Sequence, residues 1–227
     1  MRLIKCLLIC IALFTGFIVS AQTLTVMSYN IHHGADKEEK DQLAAMGAFI
    51  KASGADIVGL QEVDSVCTRT AGVDQMKVLG QLTGMHYAFV RHFDYQRGAY
   101  GMGVLSRYPI IQVENKRMSL LKSKNPSTAM ISAVISISKK RKIRFASAHF
   151  ALDDSSRMVQ AQEAVRYLDA DPYPVILTGD LNATPEAPRY NTSKVILLER
   201  ILNKWKLILR RLLPKRSIIF LYERKTS

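Results

Sequence analysis

From Leu24 to Tyr29 apolar and polar residues alternate with β-branched content, the period of a strand, and the pattern breaks into a loop at Asn30-Ile-His-His-Gly34. Between Lys37 and Ala52 the apolar residues Leu43, Met46, Ala48, Phe49 and Ile50 recur at helical spacing, and Ser53-Gly54 supplies a helix end. Asp56-Ile-Val-Gly-Leu60 then predicts a buried strand that delivers Gln61 and Glu62 at its far end. A second helix is predicted over Asp74 to Thr83, closed by Gly84. Strands are predicted over Met85 to Arg91, Gly101 to Arg107, Ile110 to Met118, Thr128 to Ser138 and Lys142 to His149, with Lys139-Lys140-Arg141 turning between the last two. Asp154 to Leu168 has the period of a helix, and the apolar run Tyr173 to Thr178 emerges as a strand into Gly179-Asp180-Leu181-Asn182. Together these elements predict an α/β (α+β) fold, two mixed sheets packed face to face with helices outside.

The 227 residues are 48% hydrophobic, enough for one substantial core and outside the range of a disordered chain. A basic start, Met1 to Lys5, precedes an apolar run from Cys6 to Val19 and the small-residue site Ser20-Ala21. The run is shorter than the roughly 20 residues that span a bilayer, so residues 1–21 are read as a signal peptide and the protein as secreted or periplasmic. Cys6 and Cys10 fall in that segment, which leaves Cys67 alone and no intramolecular disulfide.

A net charge of +13 suggests nucleic acid until it is placed along the chain. Residues 189–227 hold 11 Lys+Arg against two Asp+Glu, and Arg2 and Lys5 lie in the signal segment, so the body is only +2. Such a body lacks the basic footprint of a dedicated nucleic-acid binder, and a nucleic-acid substrate gains nothing from charge.

Candidate chemistry sits where apolar runs stop. Asn30, Glu62 and the Asp180-Asn182 pair each present a carboxylate or carboxamide at a predicted strand end. Hard divalent cations take such oxygen ligands; Mg²⁺ in particular is held by one or two carboxylates together with substrate phosphate oxygens. His149 closes a strand before a polar loop, and its near-neutral ordinary pKa suits proton exchange with a phosphate oxygen or leaving group. Asp180 suits orienting or deprotonating water, and the Asn182 amide suits holding a phosphoryl oxygen. Taken singly, each of these residues also reads as a solvated strand end, a helix cap or a structural histidine.

Tyr29-Asn-Ile-His32, Leu60-Gln-Glu-Val63, Gly103 to Pro109, Ala148-His-Phe150 and Gly179-Asp-Leu-Asn182 resemble, in order and spacing, the motifs of the endonuclease/exonuclease/phosphatase superfamily. The resemblance implies a four-layer sandwich with the active site across one end. It also implies metal-dependent phosphoester hydrolysis, with Mg²⁺ or else Mn²⁺ as cofactor. By the same resemblance Glu62 is the principal metal ligand, with Asn30 supporting the metal. Asn30 and Asn182 bind phosphate, as does Tyr100 by likeness to a tyrosine of some members, though Tyr100 also reads as a packed aromatic on a strand edge; Asp180 activates water, and His149 faces the scissile phosphate. Arg157 resembles a family arginine with a structural task. His32 stands where some nucleases carry an acid, which leans towards a non-nuclease branch, and His32 and His33 also read as a solvated loop pair. Nucleic acid, phospholipid, sugar phosphate and inositol phosphate all remain open as substrates, for a chain expected to be a monomer.

The resemblance covers residues 22–188. Family members continue to an Asp-Tyr segment and a terminal Ser-Asp-His, which residues 189–227 do not supply, so the domain is expected to be incomplete, its sheet edge unpaired and its activity impaired. Two readings of this tail compete: out-of-frame sequence, or a basic amphipathic helix over Val195 to Leu213 that suits an anionic membrane or a partner groove. The second belongs with an alternative function, an inactive fragment that binds through its tail.

Overall fold

The computed structural model describes residues 24–121, 129–182 and the backbone of 220–222. The expected signal segment, residues 1–21, and the expected helix over 195–213 lie outside the described residues. Nine strands and three α-helices are found among the described residues, in the order β1 (Val26–Asn30), α1 (Leu43–Ser53), β2 (Ile57–Ser65), α2 (Gln75–Thr83), β3 (His86–Tyr95), β4 (Gly98–Ser106), β5 (Ile110–Arg117), β6 (Ala129–Ser138), β7 (Arg141–His149), α3 (Asp154–Asp169), β8 (Val175–Asp180) and β9 (Phe220–Tyr222).

The strands form two mixed sheets, β1-β2-β4-β3 and β5-β6-β7-β8-β9. β1 runs parallel to β2, and β8 runs parallel to β7, while the hairpins β3-β4, β5-β6 and β6-β7 are antiparallel. The predicted sandwich is the observed one. Ile57, Met102, Val104, Ile131, Ile135, Phe145 and Ile176 fill the space between the sheets. Leu43, Ile50, Met76 and Leu79 from α1 and α2 cover the outer face of the first sheet, and Ala164 and Leu168 from α3 cover the second. Removing each of these large side chains from water contributes roughly 1.5–3 kcal/mol. Cys67 is buried as a free thiol.

Three boundaries differ from the sequence pattern, each for a physical reason. The first helix starts at Leu43 rather than Lys37 because the Asp36 carboxylate accepts from the backbone N–H of Glu38 and Lys40 and from Gln42 Nε2. This wraps the segment into a loop, the competition that aspartate offers to helical hydrogen bonds. β3 runs on to Tyr95 and β4 begins at Gly98, joined by Gln96 and Arg97, both at positive φ (45° and 67°). That is the geometry of a two-residue hairpin turn, here without the Asn-Gly pair that normally announces it. β2 does not stop at Leu60 but continues through a bulge to Ser65.

The expectation of an open sheet edge is corrected over three residues: Phe220, Leu221 and Tyr222 pair in parallel with Leu177, Thr178 and Gly179. Among the described residues, no helix is long and apolar enough to cross a membrane.

Candidate active site

The C-terminal ends of β1, β7 and β8 and the bulge of β2 converge at one end of the sandwich. At the bulge Glu62 adopts φ 58°, a left-handed conformation that breaks the alternation of the strand and turns its side chain out of the ladder. His149 and Asp180 are register partners on the parallel pair β7-β8, so their side chains leave the sheet side by side. The ligand-capable atoms of Glu62, His149 and Asp180 all lie within 4.8 Å of one another, and each residue is half-buried.

Asn30 binds this group from β1. Its Nδ2 donates to Glu62 Oε1 at 2.6 Å and to Asp180 Oδ2 at 3.1 Å. Its Oδ1 accepts the backbone N–H of His32 at 3.0 Å, which fixes the orientation of the amide. Asn30 therefore meets the centre through its nitrogen, gathering two carboxylates, while its oxygen is engaged in the loop. Two carboxylates drawn to one amide concentrate negative charge and oxygen lone pairs, which suits a hard divalent cation, and the His149 imidazole stands beside them.

Asn182 follows Asp180 by two residues at φ 49°, and its backbone N–H donates to Asp180 Oδ1 at 3.0 Å, a local turn closed by the aspartate. Its side-chain Nδ2 donates to the Phe150 carbonyl at 2.7 Å, which ties the β8 loop to the residue after His149. Tyr100, on β4 opposite Asp64, stacks on Phe93 with ring centroids 5.1 Å apart. Burial, and after it the charge of Glu62, pushes its phenol well above its ordinary pKa, so at neutral pH it is a hydrogen-bond donor. Arg157 donates to the carbonyls of Ala151 and Leu152 and pairs with Asp154, which fastens the start of α3 to the loop after β7.

The structure thus brings together Asn30, Glu62, His149 and Asp180, with Asn182 in the adjoining loop and Tyr100 within electrostatic reach. Sequence reasoning missed the layer behind them. Gln61 is buried between the sheets, where its Nε2 donates to Ser147 Oγ at 2.7 Å. Fully buried Asp64 takes both Arg69 Nε (2.7 Å) and Nη2 (2.8 Å), and Arg69 lies over Tyr95 and Tyr100. A carboxylate two residues after Glu62 on the same strand was the available signal. The His32 and His33 pair is not simply solvated: His33 is buried, and both rings meet Glu39.

A four-layer α/β/β/α sandwich with carboxylates, an amide and a histidine gathered at one end of its strands defines a class of phosphoester-cleaving folds. The chain belongs to the Endonuclease/Exonuclease/phosphatase family, whose model matches residues 27–211. Members of this family are hydrolases acting on phosphoester bonds. Among solved structures, the chain is similar to an endonuclease/exonuclease/phosphatase from Beutenbergia cavernae (TM-score 0.66, 16% identity, 80% of this chain and 54% of that one). It is also similar to the human Nocturnin catalytic domain (0.55, 22%, 72% and 65%) and to sphingomyelinase C from Streptomyces griseocarneus (0.57, 17%, 78% and 70%). The chain spans about half the length of the Beutenbergia structure. At these identities the likeness shows the fold. No curated protein matches the sequence.

Proposed function

We propose that the protein is a divalent-cation-dependent phosphoester hydrolase, Mg²⁺ or Mn²⁺ being the cation. The observation that carries this reading is the convergence of Glu62, Asp180 and His149 on one point, with the Asn30 amide bridging the two carboxylates. Glu62 and Asp180 would hold the cation, which supplies charge neutralisation and polarisation of a phosphoryl oxygen. Asp180 orients a water through its remaining lone pairs and accepts its proton. His149 holds a proton against a phosphate oxygen, and the side-chain amide of Asn182 and the Tyr100 hydroxyl offer it hydrogen bonds. The same reading takes residues 1–21 as an export signal, and the protein as secreted or periplasmic.

The test is hydrolysis of bis(p-nitrophenyl) phosphate and of p-nitrophenyl phosphate by the full chain, which also separates diesterase from monoesterase activity. Hydrolysis should need Mg²⁺ or Mn²⁺, stop with chelator, and fall by roughly 10²–10⁴-fold in Asp180→Asn and His149→Ala. No turnover by the folded chain, or turnover that survives chelator or Asp180→Asn, overturns the reading.

A further inference from the structure

A second group of ligand-capable side chains stands outside the phosphoester site: His32, His33 and Glu39, whose ligand atoms again lie within 4.8 Å of one another. His32 Nε2 sits 3.2 Å from Glu39 Oε1, and His33 Nε2 sits 2.7 Å from Glu39 Oε2. The phosphoester reading uses none of these side chains.

The backbone is strained to make the group. His32 and His33 both have φ 45° inside a 3-10 turn, and Glu39 has φ 59°. Three non-glycine residues in the left-handed region within eight positions cost on the order of 1 kcal/mol or more each, and such strain persists where the surroundings over-determine it. Here they do. The Asp36 carboxylate collects the N–H groups of Glu38 and Lys40, Ala35 bridges Asp41, and the Glu39 N–H donates to the Asp36 carbonyl. Below, Gln75 Nε2 donates to the His33 carbonyl at 2.6 Å. The two arms of a closed loop are thereby held with imidazoles on one and a carboxylate on the other.

We propose that His32, His33 and Glu39 form a binding site for a borderline transition-metal cation of the Zn²⁺ class. Two imidazoles and one carboxylate are the ligands such an ion prefers, whereas Mg²⁺ and Ca²⁺ take all-oxygen sets. Zn²⁺ with arms of about 2.0–2.1 Å in tetrahedral geometry spaces its ligand atoms about 3.3 Å apart. The N···O gaps of 3.2 and 2.7 Å, one to each Glu39 oxygen, therefore need to open by about 0.1 and about 0.6 Å. Accessibility is graded as entry requires: the His33 side chain is 9% exposed and anchored, while those of His32 and Glu39 are 51% and 66% exposed. A metal here closes the loop that presents Asn30, because the His32 N–H holds Asn30 Oδ1.

The experiment titrates the full chain with Co²⁺, read by its visible ligand-field bands, and with Zn²⁺, read by equilibrium dialysis. Wild type, Glu39→Gln, His32→Ala and Glu62→Gln are compared, with circular dichroism confirming the fold. Glu39→Gln and His32→Ala, both at exposed positions, should lose one metal equivalent and the tetrahedral Co²⁺ bands. Glu62→Gln should keep them. If Glu39→Gln and His32→Ala bind as much metal as wild type, or if the bands vanish in Glu62→Gln alone, the proposal fails. Neither readout depends on turnover, so the phosphoester reading stands or falls separately.

Discussion

Replacing Asn30 by aspartate keeps the shape of the side chain and reverses its electrostatic role. In the protein Nδ2 lies 2.6 Å from a Glu62 oxygen and 3.1 Å from an Asp180 oxygen. An oxygen in its place brings a third carboxylate against two others. At an effective dielectric constant near 20, unit charges about 3 Å apart repel by about 5.5 kcal/mol, so the new carboxyl takes up a proton on folding instead of remaining charged. Its folded pKa is then raised above the unfolded value near 3.9. The resulting deficit is absent below that value and grows by at most about 1.4 kcal/mol per pH unit as the pH rises towards the folded pKa. The ceiling is about 1.5 kcal/mol at pH 5 and about 4 kcal/mol at pH 7. For a chain of this size 4 kcal/mol corresponds to a drop in Tm of roughly 10 °C. Thermal melts of wild type, Asn30→Asp and Asn30→Ala in chelator at pH 5 and pH 7 measure it. Asn30→Ala loses the hydrogen bonds without adding charge, so its deficit should change little with pH. Saturating Mg²⁺ or Mn²⁺ should restore much of the Asn30→Asp loss at pH 7. A deficit in Asn30→Asp that is the same at both pH values, or that ignores the cation, refutes the claim that this amide keeps two carboxylates together at a cation site.

Gly59 lies on β2 where the two sheets approach, and a Cβ there would sit 2.7 Å from both Ser147 Oγ and Thr178 Oγ1. Gly59→Ala should cost about 1–3 kcal/mol in urea unfolding with an unchanged slope, and lower hydrolysis as well, because Gln61 and Glu62 follow on the same strand. Glu114, on β5, is held below its ordinary carboxylate value, chiefly by the Lys116 ammonium 2.8 Å away and also by the Arg144 guanidinium at 3.0 Å. A lowered folded pKa contributes stability that is present above the ordinary value and lost as the pH falls through the folded one. Glu114→Gln should therefore flatten the fall of Tm between about pH 5 and pH 3 while costing under about 1 kcal/mol at pH 7, Glu114 and Lys116 being partly exposed and Arg144 keeping Asp171 as a partner; an unchanged acid limb would contradict it.

Most of the fold was legible because its strands are buried on a core face and its helices carry one apolar stripe. Ile57 to Leu60, Ile131 to Ile137 and Val175 to Leu177 are runs that solvent cannot tolerate, and they appear as strands with ends within a few residues of the pattern. The α2 boundary was legible in detail, since Asp74 accepts from the Lys77 N–H and Gly84 takes the left-handed position that closes the helix. What failed to show were features in which one side chain overrides the local period. The Asp36 collar removes a helical turn, and the Gln96-Arg97 turn is made by residues with no preference for positive φ.

The candidate site obeys the same distinction, and its residues became visible for reasons other than their geometry. Asn30 and His149 stand where an apolar alternation stops, so a strand end could be read and the side chain guessed to leave the sheet. Glu62 is different, because its strand does not stop. Only the bulge and a φ of 58° take its carboxylate out of the ladder, and no period in Gln61-Glu62-Val63 announces that. Asn182, at φ 49°, and His32 and His33, at 45°, occupy the same disfavoured region. Each of these residues holds or faces a carboxylate: Asn182 closes a turn on Asp180, and the two histidines share Glu39. Local sequence preference and backbone thus disagree at both clusters, as they also do at Val66, Ala71 and the Gln96-Arg97 turn. The ligand atoms gathered within 4.8 Å in each cluster are the physical reason for treating both as sites, and the loop from Asn30 to Asp41, which touches both, is the segment whose perturbation should be felt at each of them.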